Sequence, residues 1–252
     1  MRHSRLTRPL GHAAAIALFL AVWQVASDRG LLDRTFFGRP SGIAAYLWTG
    51  FVTEGTLWTE LGYTLAGAAL SFGLGSTAAI SLGLLFSAFP GVQRASEPYV
   101  TFLNAMPRIA LAPLFLLWFG LGIGSKVALG FSLTFFIVLS STVAGIRSVN
   151  ADHLVLSRAL GASPPQLFLK VTLPSAVPVI FSGLRLGMIY ALLGVVAGEL
   201  LAAEHGLGQT LSYLQSTFHM DGVMAILVLL ALIGLGITTV MNRIERALLA
   251  WQ

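Results

Sequence analysis

Three stretches of this chain run for 19 to 29 residues without a single charge: 61–89, 127–146 and 223–241. A helix that long in water must turn one face outward and fill it with polar side chains. A bilayer makes the opposite demand, about 20 consecutive apolar residues for one crossing. These stretches therefore allow only a chain that is largely embedded in lipid. Composition agrees, with 56% of the 252 residues hydrophobic and 10% charged, against about 25% charged in a soluble domain. The 27 glycines suit helices that approach closely in a membrane. There is no cysteine, which excludes disulfides, thiol catalysis and cysteine metal sites.

Taken in order, residues 1–9 read as a cytosolic basic tail, followed by an apolar run over 10–27. A cleaved leader is the rival reading. The run is at the lower limit for spanning, and no clear small-x-small cleavage site follows it, so a retained first helix is expected. Residues 28–60 mix charges with Phe36, Phe37, Trp48, Phe51 and Trp58. They read either as a short interfacial helix after Pro40-Ser41-Gly42 or as a partly ordered loop. A second span covers 61–89, and Gln93, Arg94 and Glu97 read as a polar turn. The third span, 99–120, is irregular, because Pro107 and Pro113 each remove a backbone donor and bend or break a helix. Further spans are expected over 126–147, 176–201 and 222–241. An elbow over 150–175 precedes the fifth span and a polar loop over 202–222 follows it.

Charge orients these six spans. With both termini in the cytosol, eleven of the fifteen Lys and Arg fall inside, Arg108 counted among them, and four outside: Arg29, Arg34, Arg39 and Lys126. The net charge of +5 thus follows topology and gives no reason to invoke nucleic acid. The segment Gly120 to Lys126 is not a phosphate loop, since Ser125 separates Gly124 from Lys126 and Val127 stands where a hydroxyl residue is needed. Any nucleotide energy must come from another chain.

The elbow is one of the few long segments unsuited to hydrocarbon. In it Gly161 is followed, after nine residues, by Val171-Thr172-Leu173-Pro174. This resembles the EAA motif of binding-protein-dependent ABC transporter permeases, written EAA, three residues, Gly, nine residues, Ile-x-Leu-Pro. RPSG at 39–42, GTLWTELGYTL at 55–65, PLFLLWFGLGIGSK at 113–126, GIRSV at 145–149, GLR at 183–185 and GELLAAEHGLG at 198–208 resemble the nitrate/sulfonate/taurine branch of that family. The resemblance covers about residues 35–251. One departure stands out: Val155-Leu156-Ser157 occupies the Glu-Ala-Ala position, so the acid is missing.

The resemblance implies an all-α polytopic fold with six transmembrane helices and a cytosolic coupling helix, the type I importer fold. Residues 10–252 would form a single permease domain in the bacterial inner membrane. The chain would bind no cofactor itself, with ATP and Mg held on partner ATPase subunits. An extracytoplasmic solute-binding protein and a second permease copy complete the expected partners besides membrane lipid. The coupling residues so implied are Arg158, Leu160, Gly161, Ala162, Ser163, Leu167, Phe168, Val171, Leu173 and Pro174. Gly161 is expected to permit a turn where a side chain would clash, and Pro174 to start the return into the membrane. A surface helix lying on the bilayer is the plain alternative for the same composition.

Asn104, Met106, Arg108, Arg185 and Glu199 are the candidates for the translocation path. Arg108, four residues from Asn104, either snorkels near the cytosolic end or faces a polar pathway. Arg185 and Glu199 have structural pairing as their alternative. The branch suggests a small anion such as a sulfonate or nitrate. A secondary transporter or channel would instead bury acids or histidines mid-span, and spans two, four and six hold none. An intramembrane metalloenzyme finds no HExxH, and His153, His205 and His219 fall in loops.

Overall fold

The computed structural model describes residues 4–248, which contain helices and no strands. The first helix, α1, runs Ser4–Asp28, so the expected tail is helical from Ser4 onward. Residues 1–3 and 249–252 lie outside the described residues. Two short helices follow, α2 over Arg34–Phe37 and α3 over Pro40–Trp48, then a π turn at Thr49–Thr53. Residues 28–60 are therefore ordered. Asp33 caps α2 by accepting from Thr35 N at 2.8 Å, and Pro40 takes the first turn of α3, where its missing N–H costs nothing.

Helix α4, Thr56–Ala88, is 33 residues long and ends where Pro90 forces Phe89 out of the helical region. Pro90 then opens α5, Pro90–Ala105. The expected polar turn at Gln93, Arg94 and Glu97 is instead the start of that helix, with Gln93 N donating to Phe89 O at 3.2 Å. The same chemistry ends α5. Met106, preceding Pro107, is extended at φ −67° and ψ 135°. A 3-10 turn over Arg108–Leu111 leads into α6, Ala112–Phe119, whose first turn accommodates Pro113. The two halves meet at 83°. Thus the third expected span is broken at Pro107, while Pro113 breaks nothing.

Beyond Gly120 and Gly122, α7 covers Ile123–Arg147. The elbow consists of α8, Ala151–Ala159, α9, Pro164–Leu167, and a π segment over Phe168–Thr172. It runs without a gap into α10, Leu173–Leu201. The expected polar loop after it is mostly helix α11, Leu207–Ser216, because Leu207, Leu211 and Leu214 recur at helical spacing and are all buried. The last helix, α12, is Met220–Leu248. Among the described residues, five helices are long and apolar enough to span a membrane, six if the bent pair α5–α6 counts as one.

Helices α4, α7 and α10 form the central three-helix core. Small residues set its spacing: a Cβ on Gly194 would lie 2.7 Å from Gly130 Cα. Between these backbones run hydroxyl bonds, Thr134 Oγ1 to Gly187 O at 3.1 Å and Ser71 Oγ to Val127 O at 3.2 Å. Lipid tails are as apolar as leucine, so close packing and interhelical hydrogen bonds hold such a core together. A second cluster joins Leu57 of α4, the three α11 leucines, and Val223 and Ile226 of α12. Helix α1 is mostly exposed over residues 11–28. It is tied at its Asp28 end by Ser27 Oγ to Gly38 O, 2.8 Å, and by Arg34 to Asp28, 3.1 Å.

Candidate functional site

Three places concentrate polar chemistry. The first is the elbow. Asn150 caps α8 by accepting from Asp152 N at 2.8 Å. At the other end the chain closes a Schellman motif: Gly161 N donates to Arg158 O at 2.9 Å and Ala162 N to Ser157 O at 3.0 Å. Gly161 sits at φ +83°, and a Cβ there would meet nothing within 4 Å. Its role is therefore conformational freedom, and the expected steric clash is corrected. Ser163 N donates to Gln166 Oε1 at 2.9 Å, which fixes the entry to the second arm. In the π segment Leu173 N reaches back five residues to Phe168 O, a register that accommodates Pro174, which has no N–H. Because helix is continuous from Pro164 to Leu201, Pro174 lies within the return and does not start it.

Leu160 on the elbow is 79% exposed, whereas Leu167, Phe168, Val171, Leu173 and Pro174 are half-buried. Arg158 and Lys170 are exposed and make no ion pair among the described residues. Sequence reasoning did not name Leu156 or Leu169, both exposed, which lie on separate arms of the elbow.

The second place is the α5–α6 break. Arg108 donates to Asn104 O at 3.0 Å and to Asn104 Oδ1 at 2.5 Å, and its guanidinium carbon lies 4.4 Å from the centre of the Phe136 ring. Its Nε is buried and makes no hydrogen bond. Phe136 is about 20 Å along α7 from Ile123 and about 17 Å from Arg147, which places Arg108 at the middle of that helix. Grouping Arg108 with the charges at the cytosolic end is thereby corrected. Asn104 and Phe136 both line a cavity of about 400 Å³ that runs between α5 and α7 to Arg147 at the elbow end. Met106 is the half-buried extended residue of the hinge.

The third place is a clasp at the end opposite the elbow. Glu199, 3% exposed, accepts from Thr64 Oγ1 at 2.9 Å and from Gly208 N at 2.9 Å. Thr64 Oγ1 in turn accepts from Leu207 N at 2.8 Å. Glu60 accepts from Gly206 N and lies 3.2 Å from His205 Nδ1, while the His205 ring stacks on Tyr63 at 4.4 Å. Three consecutive N–H groups at the start of α11 are thus satisfied by side chains of α4 and α10. Nearby Lys126, only 4% exposed, donates to Gly122 O at 2.8 Å and to Leu121 O. The sequence reading counts Lys126 among the four outside charges, and nothing local in the sequence reveals its burial.

The five path candidates are therefore not one group. Asn104, Met106 and Arg108 come together at the break. Arg185 is held by Asn242 Oδ1 at 2.8 Å and Glu245 Oε2 at 3.2 Å, tying α10 to α12. Glu199 lies about 21 Å farther along α10, in the clasp.

Residues 71–250 match the family described as binding-protein-dependent transport system inner membrane component. The formylaminopyrimidine transport permease protein of Halalkalibacterium halodurans is 32% identical over 93% of each chain. The taurine transport system permease protein of Escherichia coli is 30% identical over 94% of this chain and 88% of its own. Among solved structures, the inward-facing methionine ABC transporter MetNI matches with a TM-score of 0.67 and 22% identity, over 77% of this chain and 98% of that chain.

Proposed function

The chain belongs to the family of binding-protein-dependent transport system inner membrane components, as a permease subunit of an ABC importer, and from that premise we propose that it carries a small anion past Arg108. ATP hydrolysis resides on a separate subunit of such transporters, and the permease is not itself an enzyme. The anion is of the sulfonate, nitrate or organic-acid class. One observation supports this: Arg108 stands halfway along α7, beside a cavity, with only neutral partners and an unused Nε–H. A charge at membrane depth without a carboxylate partner suits a site that meets its counter-ion as cargo.

The surroundings support a paired assembly. Backbone at 106–111 is not α-helical, and Tyr99, Phe102, Ile109 and Leu117 beside it are exposed. Lipid cannot satisfy free backbone groups, so such a break belongs against protein or a watery cavity. A second copy of the chain would cover this face and enclose the path between the two. The basic side chains Arg94, Arg147, Arg158, Lys170, Arg243 and Arg246 lie in the elbow or toward that end of the helices, which supports a cytosolic elbow face with cytosolic termini. The opposite face would receive solute from an extracytoplasmic binding protein. ATP binding would then move the elbows and rock the cores between inward- and outward-facing states.

Reconstituted uptake tests the solute class, using a panel of sulfonates, nitrate and uncharged solutes. Arg108→Ala is expected to lower anion uptake about tenfold to a hundredfold, the value of one charge-assisted hydrogen bond. Arg108→Lys is expected to retain part of it. Unchanged uptake in Arg108→Ala removes Arg108 from the path.

A further inference from the structure

The elbow shows more apolar surface than an extramembrane loop requires. Val155, Leu156, Leu160 and Leu169 are 65%, 59%, 79% and 61% exposed. Clustered exposure of this kind marks a surface that is covered in the working molecule. Lipid is the first occupant to weigh, and geometry argues against it. The unbroken helix Pro164–Leu201 has 38 residues, about 57 Å at 1.5 Å per residue, whereas the hydrocarbon is about 30 Å thick. Glu204 and His205, just past Leu201, are exposed, and such polar side chains keep the opposite hydrocarbon boundary at or before Leu201.

Lys170 lies about 46 Å along the helix from Leu201, and at a typical tilt of about 20° it still stands about 44 Å away. Leu156 of α8 shares a groove with Lys170 and Val171, so α8 lies at the same level, more than about 10 Å outside the hydrocarbon. The helix carries the elbow into water on a stalk. What covers its leucines must be protein.

Charge narrows the kind of protein. Asp152 is the sole acid between residues 150 and 175, while His153, Arg158 and Lys170 are all exposed and form no ion pair among the described residues. The acid that the elbow motif carries is replaced by Val155, an exposed apolar side chain. We propose that this elbow grips its ATPase through an apolar knob of Val155, Leu156 and Leu160. The cleft that receives it is apolar opposite Val155 and bears carboxylates opposite Arg158 and Lys170. The inference rests on the permease reading and adds the chemistry of the partner: an ATPase whose cleft offers a cation to the missing acid is the wrong partner for this chain.

The test uses the permease with the ATPase that co-purifies with it, in lipid nanodiscs. Val155→Glu restores the motif's acid at an exposed position. It is expected to weaken ATPase binding and solute-stimulated hydrolysis at least tenfold, with an unchanged unfolding midpoint. Val155→Leu is expected to stay within twofold of the parent. Binding by Val155→Glu equal to or tighter than the parent overturns the proposal.

Because the chain has no cysteine, Val155→Cys supplies a single thiol for a fluorophore. ATPase binding is expected to shield it from aqueous iodide, and nitroxide-bearing lipids are expected not to quench it. Lipid quenching that persists with ATPase present overturns the proposal and assigns the knob to the membrane surface. Gly161→Val separates the two levels. If it uncouples uptake while Val155→Glu binds ATPase normally, the partner chemistry fails and the coupling reading stands. If Gly161→Val transports at the parent rate, the coupling reading itself fails and the proposal falls with it.

Discussion

The two ends of this molecule treat their polar groups in opposite ways. At the clasp, Glu199, Thr64 and Glu60 meet three successive N–H groups of α11, and Lys126 meets two carbonyls. Every one of these partners lies in the same chain. At the elbow, Arg158 and Lys170 make no ion pair among the described residues, and four large apolar side chains face water. The clasp meets its polar groups within the chain, whereas the elbow leaves its charges and leucines open to a partner. Under the proposed docking, burial and pairing separate residues that hold the permease together from residues that couple it to a partner.

Substitutions at the two ends should therefore move different observables. The largest effect on stability is expected at the clasp. Glu199→Ala strands Gly208 N and the Thr64 hydroxyl in a buried site, about 3 kcal/mol for two unmet donors. Thermal unfolding in detergent should show this as a lower midpoint, with Glu199→Gln less affected because it keeps an acceptor. A full-stability Glu199→Ala protein would erase the contrast between the ends.

Gly161→Val is intermediate. Forcing a β-branched residue to φ +83° costs about 1–2 kcal/mol, confined to the turn between α8 and α9. Its larger readout is functional, with uptake lost while ATP hydrolysis continues. The smallest effect belongs to Arg185→Ala. That side chain and Glu245 are 34% and 22% exposed, and a partly solvated pair contributes under about 1 kcal/mol. A greater loss, in unfolding or in uptake, would show that the tie between α10 and α12 carries motion as well as packing.

Much of this was legible in residue order. The uncharged runs at 127–146 and 223–241 lie within α7 and α12, and Gly161 falls at the positive-φ turn of the elbow. Pro107 was read as a break, and a break is there. Less legible was α11, whose leucines at 207, 211 and 214 have helical spacing but lie among Gly, Gln, Thr and Ser that suggest a loop. Arg108 was misplaced because the depth of a break depends on what packs beside it, here Phe136 of α7, and local sequence does not carry that.

What the sequence determined alone is what depends on each residue's own transfer into hydrocarbon: the membrane class, the rough positions of the spans, and the segments too polar to enter it. These quantities sum along the chain, so they can be read along it. The tertiary structure alone decided partnership and depth. Thr64 and Glu199 are 135 residues apart, and Arg108 meets Phe136 only because α5 and α7 are packed side by side. A hydrogen bond or a stacked cation depends on where two distant segments meet, and no property of either segment by itself contains that information.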